Sequence, residues 1–360
     1  MQLTENLYPL DEAISTFTQC IISKSSTHEC LYWLWELIYS SPDVGEGIVC
    51  IYNLFYNNGS SGLGEYIARK VDLYKSTGEN IHLADIICNL RVLTPQSTSY
   101  IINCRTINDC PTIIYKRVKW MHGYPTEAVG LLGSLHAKDL HNVGYYAYKY
   151  INNYGYDGIM DVLNYYANNN DIYLFTINDT YNSKDMIAVT SILKQLIDLD
   201  NTTTSSVKHI IRFVKAGSDM VKAMDEHFTY KPRSRHTKLL HCRLYPTHTI
   251  MTPGNYSRTA TDLRIISASN WEYYCYDSVR WNEKFAYYNA TQNHVTKTIT
   301  WPNDACLEAF YDNNAMDFDE QPLAVQNKSL HDICIYDDPV LWFDKMLEIA
   351  VEVKMGQMNI

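Results

Sequence analysis

Glu29-Cys-Leu-Tyr-Trp-Leu-Trp-Glu-Leu-Ile-Tyr39 is apolar on nearly every side of a helix, and Gly47-Ile-Val-Cys-Ile-Tyr-Asn-Leu-Phe-Tyr56 follows it after one short turn. A run with aromatic and aliphatic residues at all phases suits a central helix covered from several directions, not a surface helix with one wet face. Upstream, Ile14, Phe17, Ile21 and Ile22 recur near the helical period, so Leu10 or Asp11 opens a further helix. Residues 24–28 supply a loop and an N-cap. Ser40-Ser-Pro-Asp43 reads as a turn with Pro42 as the first helical residue, and Asn57-Asn-Gly59 as a stop.

A similar arrangement recurs about 110 residues later. A helix at 128–135 is followed by a loop at 136–141, a tyrosine-rich helix from Gly144 to Ile151, and Gly158-Ile-Met-Asp-Val-Leu-Asn-Tyr-Tyr-Ala-Asn-Asn169. The last run matches Gly47-Ile-Val-Cys-Ile-Tyr-Asn-Leu-Phe-Tyr-Asn-Asn58 in its Gly, Ile, Asn and terminal Asn-Asn. Two readings stay open: a divergent tandem repeat of a helix pair, or two amphipathic helices made alike by an Asn- and Tyr-biased composition. Residues 81–90, 185–199 and 206–224 also read as helices, 114–121 reads equally as helix or strand, and 201–206 is the strongest linker.

The expected fold is mainly α, with tandem helix-pair repeats in the N-terminal two-thirds and a mixed, partly irregular helical C-terminal third. The expected divisions are a first helical module at 1–115, a second at 116–225, and an aromatic-rich region at 226–360. In that last region, 239–270 reads as irregular or β-like, 271–285 as one aromatic-rich helix, 294–301 as extended, 303–311 as a helix, and 339–353 as a last helix.

Composition narrows the function classes. The 360 residues carry a formal charge of −10, which argues against a chain that coats nucleic acid over its whole surface. The 30 tyrosines suit half-buried helix faces and interfaces, where the ring is buried and the hydroxyl stays wet. Ten cysteines are scattered without a CxxC pair, which disfavours repeated-CxxC zinc sites and points to reduced thiols. No leader-like segment and no long apolar run is present, so neither secretion nor membrane insertion is expected.

Four groups of residues carry candidate chemistry. Between 205 and 245, nine Lys and Arg face three acidic residues, with Lys231, Arg233, Arg235, Lys238 and Arg243 the densest part. They could grip phosphates, or pair with the acidic segment 301–360, where 12 acidic residues face 3 basic ones. Asp304, Glu308 and Asp312 share a helix face that would suit a metal but equally describes an ordinary solvent face. His236, His241, Cys242 and His248, with Cys275, match no zinc spacing. Among the aromatic residues Trp33, Trp35, Tyr145, Tyr146, Tyr148, Trp271, Tyr273, Tyr274 and Trp281, most suit a core. Trp271, Tyr274 and Trp281, with Arg280, are instead the candidate protein interface.

Trp271-Glu-Tyr-Tyr-Cys-Tyr276, Trp281-Asn-Glu-Lys-Phe285, Trp301-Pro-Asn-Asp304, Glu308-Ala-Phe-Tyr311 and Asp319-Glu-Gln-Pro322 form one set. With Cys30–Tyr39, Leu135-His-Ala-Lys138 and His141-Asn-Val-Gly-Tyr-Tyr146, they resemble a helical protein family of large nucleocytoplasmic DNA viruses (giant viruses). That resemblance implies viral origin and a helical fold but supplies no activity, cofactor or catalytic residue. More locally, Cys30–Tyr56 is similar to the helical collar of clamp-loader-type AAA+ proteins. Since the chain has no GxxxxGK[ST] phosphate loop, this implies a collar without ATPase activity.

The expectation is therefore a non-enzymatic viral scaffold or structural component, with no cofactor. Its partners would be other viral proteins, with self-association open, and its place the host cytoplasm, a viral factory or the virion. The alternative is a nucleic-acid-binding accessory of viral replication or transcription that uses 205–245.

Overall fold

A computed structural model describes residues 2–57, 61–105, 115–117, 119, 122–169, 186–198, 213–229, 247–248, 270–314, 335–336 and 338–358. The fold is mainly α. In chain order the helices are α1 (Leu10–Ile22), α2 (Thr27–Ile38), α3 (Val44–Phe55), α4 (Ser61–Thr77), α5 (Ile81–Val92), α6 (Thr98–Arg105), α7 (Thr126–Ala137), α8 (Leu140–Asn169), α9 (Met186–Asp198) and α10 (Ser218–Thr229). A helical turn at 270–275 precedes α11 (Val279–Tyr287), α12 (Asp304–Asn314) and α13 (Pro339–Met358). Short strands β1 (Thr247–His248) and β4 (Ile335–Tyr336) pair in parallel, and β2 (Thr291–Asn293) and β3 (Thr298–Thr300) form an antiparallel hairpin.

The chain divides into two compact units, Met1–Val44 with Lys215–Ile360, and Gly45–Val214. This division does not coincide with expected boundaries at 115 and 225: α1 and α2 group with the C-terminal region, and α2 and α3 fall in different units. The physical reason is long-range packing that no local pattern reveals. Leu3 and Leu7 lie in one apolar cluster with Trp271, Cys275, Trp281, Phe285, Ala290 and Phe310.

In the first unit, α1 and α2 form a helical hairpin closed by Ser26, whose side chain caps α2 by accepting the Glu29 N–H. The run at 30–38 is buried on several sides, as its apolar character requires. α10 packs on α2: the Trp35 indole N–H donates to Asp225 at 2.8 Å, and Phe228 lies against the rings of Tyr32 and Tyr39. Residues 2–9 fold back as a hook held by the Leu3–Pro9 bridge and by Thr4, which accepts the Tyr8 N–H through its hydroxyl.

The second unit contains the α4–α5 pair and a bundle of α6, α7, α8 and α9 around Ile102, Leu131, Leu132, Val143, Leu163 and Leu193. α8 is two arms, broken at Gly155, where φ is +79°. A glycine adopts that left-handed backbone without the penalty a Cβ would bring.

Several expected elements change. Pro42 lies in the turn and α3 begins at Val44. The helix expected over 206–224 runs from Ser218 to Thr229, with 213–217 outside it. The single helix expected at 271–285 breaks at 276–278 and restarts at Val279 after Ser278. The extended segment at 294–301 is the second half of a hairpin. The linker at 201–206, half of 114–121 and most of 239–270 lie outside the described residues.

Candidate functional site

Lys231, Arg233, Arg235, Lys238 and Arg243 lie outside the described residues, as do His236, His241 and Cys242. On the described flank of that basic stretch, Lys222 pairs with Glu226 one helical turn away at 3.8 Å, so α10 is not a clean cationic face. The expected interface at 271–281 is corrected. Trp271 and Trp281 are buried, their rings meeting edge to face with centroids 5.2 Å apart. Tyr274 packs half-buried on the same cluster, and its carbonyl accepts the Leu3 N–H at 2.7 Å. Arg280 lays its guanidinium 3.6 Å from the centre of the Tyr39 ring and donates to the Phe228 carbonyl. These residues look inward because indole and phenyl surface gains most from leaving water.

Asp304, Glu308 and Asp312 line the exposed face of α12, and no group of three or more His, Cys, Asp or Glu converges among the described residues. Burial pushes the Cys275 thiol well above its ordinary range, the opposite of what a nucleophilic thiolate needs.

An aromatic-walled cleft lies instead against α7 and α8. Gly130 and Gly133 stand one turn apart on α7, and a Cβ at either would overlap a ring, that of Tyr146 or that of Tyr115. Bare helix backbone thus forms a floor on which two tyrosines lie. Above it opens a cleft of about 160 Å³ walled by Tyr115, Tyr145 and Tyr146, with Glu127 and Lys149 contributing one charge of each sign. The walls meet edge to face, Tyr145 to Tyr146 at 5.3 Å and Tyr115 to Tyr146 at 6.2 Å between centroids. Tyr148, three residues beyond Tyr145 on the same helix, is 43% exposed and extends the aromatic surface.

The cleft is anchored at one carboxylate. Asp139 caps α8 by accepting the Asn142 N–H at 3.2 Å, and its other oxygen accepts from the Tyr115 hydroxyl at 3.1 Å. Partial burial alone would raise this carboxyl, but the hydrogen bonds from Asn142 and Tyr115 outweigh it and bring it below its ordinary value. Burial, with help from Asp139, pushes the Tyr115 hydroxyl up to about 12. Lys149 reaches over the Tyr145 ring, 4.6 Å from its centre, and the hydrogen bond to that tyrosine raises the ammonium. The cleft therefore offers aromatic faces and hydroxyls beside one lysine and one glutamate.

A second polar centre joins α4 to α5. Lys70 pairs with Asp85 at 2.6 Å, both nearly buried, and His82 stands 3.5 Å from Lys70 and 3.4 Å from Glu79. The apolar pattern of the sequence does not single out α4, because Leu63, Tyr66, Ile67 and Val71 are interleaved with charges that dilute the stripe. No family model, curated protein or solved structure matches the chain.

Proposed function

We propose that this chain is a helical protein-interaction scaffold without catalysis, and that the tyrosine cleft on α7 and α8 is its docking surface. One observation carries the reading: a glycine-floored cleft walled by the half-buried Tyr115 and Tyr145 and the buried Tyr146, flanked by one lysine and one glutamate. Its volume of about 160 Å³ is close to the roughly 150 Å³ that accepts a benzene-sized ring. It thus fits one apolar or aromatic side chain of a partner, with Lys149 and Glu127 placed to select the charges beside it. Rigid tyrosines bring large contact area at low entropic cost, which is why they dominate interface anchors. The resemblance to giant-virus proteins directs the search for that partner to a viral assembly, in the cytoplasmic factory or the virion.

A photo-crosslinking amino acid at position 148 of the full chain, introduced in infected cells, tests the proposal. It should capture one dominant protein in high salt, and Tyr145→Ala with Lys149→Ala should abolish that capture. Capture unaffected by the double substitution overturns the cleft reading. Retention on DNA that falls steeply with salt and is lost on Arg233→Ala with Arg235→Ala would favour the nucleic-acid accessory instead.

A further inference from the structure

The α4–α5 pair holds an extended piece of its own chain in a way that reads backbone rather than side chain. Asn89, buried on α5, accepts the Val214 N–H through Oδ1 at 2.8 Å and donates through Nδ2 to the Val214 carbonyl, also at 2.8 Å. A single amide that engages both main-chain groups of one residue requires that residue to present them on the same side, as extended backbone does. Neither hydrogen bond uses the Val214 side chain, which is 46% exposed. One residue earlier, the Phe213 ring stacks on Tyr66 of α4 with centroids 3.8 Å apart and planes 6° from parallel. Asn89 is held in position for this contact, since its Nδ2 also donates to the Asp85 carbonyl one turn back at 2.6 Å, and Asp85 is itself fixed by Lys70.

We infer that the α4–α5 surface is a docking groove for extended peptides carrying an aromatic residue followed by any residue. Phe213–Val214 is its resident occupant, and a protein segment of the same form binds by displacing it. The groove selects the aromatic ring through Tyr66 and the backbone through Asn89, so nothing in it is specific to this chain's own segment. The resident pair competes as a tethered ligand at an effective concentration on the order of millimolar, which masks the groove from weak partners and leaves it open to longer ones. This site is separate from the tyrosine cleft, and neither reading depends on the other.

A fluorescein-labelled peptide spanning residues 208–219, titrated into the full chain by anisotropy, tests the inference. The Phe213→Ala chain, with its resident occupant weakened, should bind the peptide at least about tenfold more tightly than the unaltered chain. Adding Asn89→Ala to that chain, or Tyr66→Leu if the first variant does not fold, should remove the gain. A peptide N-methylated at Val214 lacks the N–H that Asn89 accepts and should lose binding with the protein itself unchanged. Equal affinity for the N-methylated and ordinary peptides, or no difference between the Phe213→Ala chain and the unaltered one, overturns the groove.

Discussion

Glu36→Gln should make the first unit more stable at pH 8 while leaving it nearly unchanged at the acid end. Glu36 lies on α2 between Trp35 and Leu37, wholly buried, and accepts from the Asn6 backbone N–H at 2.8 Å and from the Asn6 side chain at 2.5 Å. Burial raises its carboxyl from 4.5 to about 7, with the nearby Glu5 adding to the rise and hydrogen bonds from Thr4 and Asn6 opposing it. Between those two values the folded chain holds a proton that the unfolded chain has released, so stability falls as pH rises through the window and levels off above it. At 1.36 kcal/mol per pH unit, ionising the group in the fold costs about 3 kcal/mol by pH 8. Glutamine keeps an oxygen for the Asn6 N–H and carries no charge, so the variant escapes that loss. Six of the seven tryptophans, Trp33, Trp35, Trp271, Trp281, Trp301 and Trp342, belong to the first unit. Urea unfolding followed by tryptophan fluorescence at pH 5, 6, 7 and 8 therefore reports on it selectively. The variant's advantage should grow steadily towards pH 8. A difference that stays flat with pH, or a variant less stable than the parent at pH 8, refutes the reasoning.

Gly130→Ala places a Cβ into the Tyr146 ring and should cost about 1–3 kcal/mol, read as a lower urea midpoint by circular dichroism, and should weaken any ligand of the cleft. Lys138→Gly should stabilise by roughly 0.5 kcal/mol, since Lys138 ends α7 in the left-handed region at φ +53°, where a Cβ is penalised and a glycine is not; an unchanged or lower melting temperature would contradict this. Lys70→Met takes the buried cationic partner from Asp85 and should cost about 3–5 kcal/mol, whereas Lys70→Met with Asp85→Leu should recover most of it. A double variant no better than the single one would show that the pair is not what the α4–α5 packing depends on.

The helices that burial shaped with a regular stripe were legible in the sequence. α1, α2, α3, α7, α9 and α13 follow from apolar periodicity, and their ends from residues such as Ser26 and Asn57. α4 and α6 were not, because charges or small polar residues interrupt the stripes that tertiary packing nevertheless buries at Ile67, Val71 and Ile102. Helical spacing also cannot tell a buried tryptophan from an exposed one. Trp271 and Trp281 look like interface anchors beside Arg280, yet they meet each other inside the first unit. The cleft was half legible: Tyr145, Tyr146 and Tyr148 stood out as an aromatic set. What makes them a cleft is Gly130 on another helix and Tyr115 from a segment with no clear period.

The N-terminal hook shows how such long-range placement follows from local chemistry once burial is known. A helix apolar on all sides that nonetheless carries Glu36 at its centre creates a buried carboxyl, and a buried carboxyl must find donors or stay protonated. No neighbour on α2 can supply them, because the backbone N–H groups of a helix interior are spent on its own ladder. A segment outside the helix must do so. Residues 2–9 do it with Asn6, while Leu3 and Leu7 fill the apolar cluster beside it and the Glu5 carbonyl accepts the Trp281 indole N–H at 3.1 Å. The same few residues therefore satisfy a polar group on α2 and cap a tryptophan near the other end of the chain. This coupling places the beginning of the sequence in one unit with its C-terminal region and leaves α3–α9 to pack as another.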